Sequence, residues 1–155
     1  VTLWLALLTL LLARLAVHGV WTQRLLPLTF ITIAPPAVAG MALLQLGGPA
    51  VLAWMAWGVA LMFLLWSLNV MPRMLAQPAS VTWWALSFPL AAFAALSLRL
   101  AGHDSGVMGA LALLALAFAS LTVAALVLAT LQGLRDGAWL APEQVALSVA
   151  APPDH

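Results

Sequence analysis

Long apolar stretches alternate with short breaks marked by arginine, glycine and proline, and five of those stretches approach the length of a membrane span. A hydrocarbon core of about 30 Å takes roughly 20 helical residues. The pattern predicts an all-α, polytopic transmembrane bundle with spans near residues 1–17, 28–46, 50–70, 81–100 and 108–132, followed by a tail over residues 133–155. The first stretch is short, carries Arg14 and starts without the basic flank of a signal peptide. It reads as a span whose beginning is missing.

Two of the five stretches carry proline well inside them. Residues 81–100, VTWWALSFPLAAFAALSLRL, are interrupted by Ser87-Phe88-Pro89, and residues 27–46, PLTFITIAPPAVAGMALLQL, by Pro35 and Pro36. Proline removes a backbone donor and clashes with the carbonyl four residues back, so the oxygens of Ile31, Thr32 and Ala85 lose their helical partners. Broken backbone at membrane depth is tolerated where protein or a water-filled cavity covers it, which points these two spans toward an interior or a pore. Residues 50–70 and 108–132 lack internal proline and read as peripheral, with Trp54, Trp57 and Trp66 suited to interfacial belts. Proline is also common in membrane helices as a simple packing kink, and that reading competes with the pore.

The two broken spans bring their own side chains. Thr29 and Thr32 are three residues apart and share a face. Ser87, Ala91 and Ala95 make a small-residue stripe suited to close packing. Phe88, Ala92, Ala95 and Arg99 follow spacings of 4, 3 and 4, which puts a bulky ring at mid-span and a guanidinium at the mouth roughly in line. Positive charge at a pore entrance attracts anions, while an arginine there also snorkels to headgroups.

Composition sharpens the picture. Of the 155 residues 66% are hydrophobic and 6% charged, lysine is absent and the net charge is +1, with a mean hydropathy of +1.15. Five singly scattered arginines make no basic stripe, so nucleic acid is not an expected partner. Arg24, Arg73 and Arg135 fall in breaks on one side and Arg99 on the other, so the positive-inside rule predicts a cytoplasmic C-terminus. Cysteine is absent, which removes disulfides and thiolate metal sites. His18, His103 and His155 have no ligand partner at useful spacing, and Asp104, Asp136, Glu143 and Asp154 lie outside the spans, so neither a metal, a cofactor nor an intramembrane acid is expected. No nucleophile-base-orienter set is visible, and an enzyme is not expected.

The stretches PLTFITIAPPAVAG and WWALSFPLAAFA resemble the seventh and ninth helices of the tellurite-resistance/dicarboxylate transporter family, which includes the slow anion channels of plant guard cells. The resemblance implies a ten-helix fold in which odd-numbered helices line a pore, with this chain supplying helices six to ten. It implies transport of small inorganic anions, dicarboxylates or tellurite-like oxyanions, assembly as a homotrimer, and residence in a bacterial inner membrane. It also implies that Phe88 is the aromatic gate, a role it carries to no other residue, while the residue pattern itself marks Thr29, Thr32, Pro35, Pro36, Ser87, Pro89 and Ala92 as pore-lining or kink residues and Arg99 as an anion-attracting mouth. The other function class is a non-transporting membrane subunit or anchor of a larger complex.

Overall fold

The structure, a computed structural model, describes residues 10, 29–76, 81–102 and 106–136. The expected first span (Leu10 apart), His18, His103, Asp104 and the tail beyond Asp136 lie outside the described residues. Among the described residues every regular element is a helix. Residues 29–33 form a 3₁₀ turn that runs straight into α1 (Ala34–Gln45). Then follow α2 (Ala50–Leu75), a 3₁₀ segment (Val81–Leu86), α3 (Ser87–Ala101) and α4 (Val107–Arg135). Thr82–Ala101, α2 and α4 are long and apolar enough to cross a membrane, and Thr29–Gln45 is a shorter apolar helix. The bundle is therefore that of a helical membrane protein.

Helix α2 runs five residues past the expected boundary at Val70 and carries Pro72 inside its last turns. In the continuation MPRML, Met74 is 2% exposed in the core, so packing carries the helix past a proline that costs it one hydrogen bond. Arg73, Arg99 and Arg135 each sit in the last turn of their helix, where a cation complements the partial negative charge of the terminal carbonyls.

Chain reversals follow from glycine. After α1, Gly48 N–H donates to Leu43 O (2.8 Å) and Gly47 N–H to Leu44 O (3.4 Å), the paired bonds of a Schellman motif. Gly47 supplies the positive φ of 69° that such a cap needs, and Gly102, at the end of α3, also has a positive φ, 58°.

The packing is organised around α3. It lies against α4 along its length and against α1, while α1 also packs on α2; α2 touches α3 less. Burial follows the same order: 44% of the residues in the most apolar stretch of Thr82–Ala101 are buried, against 28% for α2 and 17% for α4. The proline-bearing span is thus central and α4 peripheral. Phe30, Ile33, Ala37, Phe63, Leu90, Phe93 and Leu96 are the heart of the core.

Small residues set how closely the helices approach, but not the ones the sequence pattern marks. Ala91 is exposed and Ser87 and Ala95 are half-buried. The buried small positions of α3 are Ala94, Ser97 and Ala101, facing a bundle in which Ala112 and Ala119 of α4 are also buried. On the other flank Gly40 of α1 comes so close to its neighbours that a Cβ there would stand 2.9 Å from Leu96 Cδ2 and 3.2 Å from Ala56 Cβ. A shift of one position along a helix turns a side chain by about 100°, so an alanine-rich helix offers several candidate stripes and only the neighbours select one.

Candidate functional site

Both proline-bearing spans are built by the same local device. In each, a 3₁₀ segment precedes the α-helix, and proline falls in the first turn of that α-helix. The first α-helical turn is where a missing N–H costs least, because its donors lack intrahelical partners anyway. A hydroxyl just ahead of the proline closes each 3₁₀ segment on itself: Thr32 Oγ1 donates to Thr29 O (2.7 Å), and Ser87 Oγ donates to Trp84 O (2.8 Å). The breaks expected at mid-helix are therefore changes of helix type at Ala34 and at Ser87.

The predicted residues separate into two environments. Thr29 and Thr32 are buried, at 6% and 8% exposure. The main-chain carbonyl of Thr29 also accepts Ser67 Oγ of α2 (3.4 Å), which ties the 3₁₀ turn to that helix. Pro36 and Pro89 are buried, and Pro35 is half-buried. By contrast Phe88, Ala91, Leu98 and Arg99 are exposed, with Ala92 and Ala95 half-buried. The line Phe88, Ala92, Ala95, Arg99 is thus one open stripe along α3, the helix otherwise most enclosed.

On that stripe Phe88 is the one aromatic ring, 63% exposed and adjacent to a buried proline. Below it come two alanines and then Leu98 and Arg99. A passage beside this stripe would meet one bulky apolar side chain, then a smooth wall, then a positive charge at the helix end. Helix α1 leaves a comparable face open, with Ile31, Val38, Ala42 and Gln45 exposed and Pro35 and Ala39 half-buried.

The closed face of α3 is polar in a way that hydropathy alone does not reveal. Trp57 Nε1 of α2 donates to Ser97 Oγ (2.9 Å), and Ser97 Oγ in turn donates to Phe93 O (2.8 Å). Ahead of α3, in the 3₁₀ segment, the exposed Trp84 makes a second such bond: its Nε1 donates to Thr130 Oγ1 of α4 (3.1 Å), which donates to Leu126 O (2.7 Å). Trp57, expected in an interfacial belt, is a strut between helices, and it also stacks on Phe93 with ring centroids 5.9 Å apart. The available signal is a hydroxyl within an apolar helix: a donor-acceptor in lipid needs a protein partner.

An apolar crevice of about 240 Å³ opens between α2 and α4, walled by Trp57, Leu61, Leu68, Leu111 and Phe118. It offers an anion no donor or charge and lies on the other side of Phe93 from the open stripe. Among the described residues no cluster of His, Asp or Glu could hold a metal ion.

The profile of the voltage-dependent anion channel (SLAC1) family matches residues 1–131. Neither a curated protein nor a solved structure shows a significant match. The matched region takes in all four described helices apart from the last residues of α4, with both proline-bearing spans and the open stripe. The chain belongs to the voltage-dependent anion channel family, and is an integral membrane protein of a family that carries anions across a lipid bilayer rather than catalysing a reaction.

Proposed function

We propose that this chain lines an anion pathway with the open stripe of α3, and that Phe88 is the gate in it. The observation that carries the reading is Phe88 itself: a phenylalanine 63% exposed on a helix whose other faces are packed, next to Pro89 and above a wall of alanine. A ring of this kind closes a narrow passage by filling it, and an apolar constriction also closes by dewetting. Rotamer change is fast enough to open it without moving the helix.

Arg99, at the end of the same stripe, is the anion-attracting mouth. Its charge lies in the last turn of α3 and is exposed, so it raises the local anion concentration without binding any one anion tightly. The prolines supply shape: Pro35, Pro36 and Pro89 hold the 3₁₀-to-α junctions, and Ser87, Thr29 and Thr32 close those junctions with hydroxyl bonds. In this reading Thr29 and Thr32 act through the backbone they hold. The substrates are small inorganic anions, dicarboxylates or oxyanions. The protein works as a homotrimer in a bacterial inner membrane with its C-terminus in the cytoplasm, which the arginines of α2 and α4 favour.

Anion flux into liposomes carrying the purified protein tests the proposal, with chloride, nitrate and malate as separate probes. Wild-type flux that rises in Phe88→Ala supports both pathway and gate. Flux unchanged in Phe88→Ala removes the gate, and no flux of any probe in either protein favours a subunit that does not itself transport.

A further inference from the structure

We propose that Ser97, and to a lesser degree Thr130, are positioning residues that hold the open stripe in its orientation by accepting hydrogen bonds from two tryptophans. The inference rests on the pathway reading above and adds to it the means by which the Phe88 face is aimed.

The chemistry of the two bonds is the same. An indole N–H is a donor only, whereas a hydroxyl has one hydrogen and two lone pairs. Ser97 and Thr130 each spend their hydrogen on a backbone carbonyl one turn back, at 2.8 and 2.7 Å, which leaves the oxygen as an acceptor for the approaching indole. Trp57 and Trp84 fill that position at 2.9 and 3.1 Å. Each tryptophan thus reaches a hydroxyl whose own proton is already committed.

Their placement resists rotation. Trp84 lies in the 3₁₀ segment and ties the start of the broken span to α4, while Ser97 lies in α3 and ties its later part to α2. The two ties are about 20 Å apart along the span, at about 1.5 Å per helical residue. A helix held at one point can roll about its axis. Held at two points by two different neighbours, it cannot roll without breaking one bond, and Phe88 falls between them. The stacking of Trp57 on Phe93 adds a ring contact to the same strut.

The two ties differ in how replaceable they are. Ser97 is 0% exposed and Trp57 is half-buried, so the Trp57 N–H meets fewer alternative acceptors than that of the exposed Trp84. Trp84 is 37% exposed and lies beside the end of α4, where headgroups or water can accept its N–H instead. Loss of Ser97 therefore has the larger effect.

The test uses the full-length protein in liposomes. These 155 residues contain no cysteine, so Phe88→Cys introduces a single thiol into them. The rate at which a water-soluble methanethiosulfonate reagent modifies that thiol reports how the stripe is presented. Interhelical hydrogen bonds in membranes are worth about threefold in an equilibrium constant. In the Phe88→Cys background, Ser97→Ala and Trp57→Phe are each expected to change the rate about threefold, in the same direction, and the double variant no more than either alone. Thr130→Ala is expected to change it less, and Thr130→Ser not at all. Equal rates in all backgrounds, additive effects of Ser97→Ala and Trp57→Phe, or a lowered melting temperature with an unchanged rate would each overturn the positioning role. A thiol at position 88 that water-soluble reagent never reaches in any background instead overturns the pathway reading beneath it.

Discussion

Phe88 and Phe93 stand five residues apart on α3, and the bundle treats them in opposite ways. Phe88 is 63% exposed, whereas Phe93 is 5% exposed and stacks on Trp57 at 5.9 Å with the rings 21° from parallel. Five residues turn a helix by about 500°, so the two rings point roughly 140° apart. The same residue type thus stands exposed on one face and serves as core on the other.

Truncating the two rings should separate transport from folding. Phe88→Ala is expected to raise basal anion flux severalfold with little change in melting temperature. Phe93→Ala removes a ring pair worth on the order of 1 kcal/mol beyond its buried area, and should lower thermal stability without raising flux per folded molecule. Flux measured at matched protein content, beside melting in detergent, distinguishes the two. A rise in flux from Phe93→Ala alone would place the gate on the wrong face.

The close approach of α1 to its neighbours predicts a second contrast. A methyl group at position 40 would meet Leu96 at 2.9 Å and Ala56 at 3.2 Å, and Leu96 is fully buried with no free direction to yield. Gly40→Ala should cost about 1–3 kcal/mol through overpacking. At Gly58 in α2 the same addition meets nothing within 4 Å, so Gly58→Ala should stabilise by up to about 1 kcal/mol through helix propensity. Opposite shifts in melting temperature are the expected result.

Proline replacement tests the helix-type junctions. Pro89→Ala restores a backbone donor, which lets the 3₁₀ segment Val81–Leu86 relax toward α-helix and rotates Phe88 relative to Trp84. Stability should hold or rise, while anion flux changes. The same is expected when Pro35 and Pro36 are replaced together. Loss of folded protein with normal flux per molecule would mark the prolines as packing elements alone.

Topology has a direct readout. A reporter fused after His155 is expected in the cytoplasm and one inserted between Ala101 and Val107 outside, since Arg73 and Arg135 end their helices on one side and Arg99 ends α3 on the other. The reverse pattern would invert the bundle and move Arg99 to the cytoplasmic mouth.

Much of the architecture was legible in the residues alone. Four apolar runs became helices near their expected places because, without water, a membrane backbone has to satisfy itself within a helix, and length and hydropathy report that directly. Proline marked the two spans that change from 3₁₀ to α-helix, although Pro72 inside α2 shows that proline alone does not produce such a junction. The alignment of Phe88, Ala92, Ala95 and Arg99 also followed from helical period, whereas its exposure did not. The tertiary structure decided what the period could not. It chose Ala94, Ser97 and Ala101 over Ser87, Ala91 and Ala95 as the packed small face of α3, buried Thr29 and Thr32, and gave Trp57 a partner in Ser97. In an apolar helix every face is equally hydrophobic, so burial carries no signal of its own. The choice falls to close approach and to the pairing of the few polar groups, and both belong to the relation between helices.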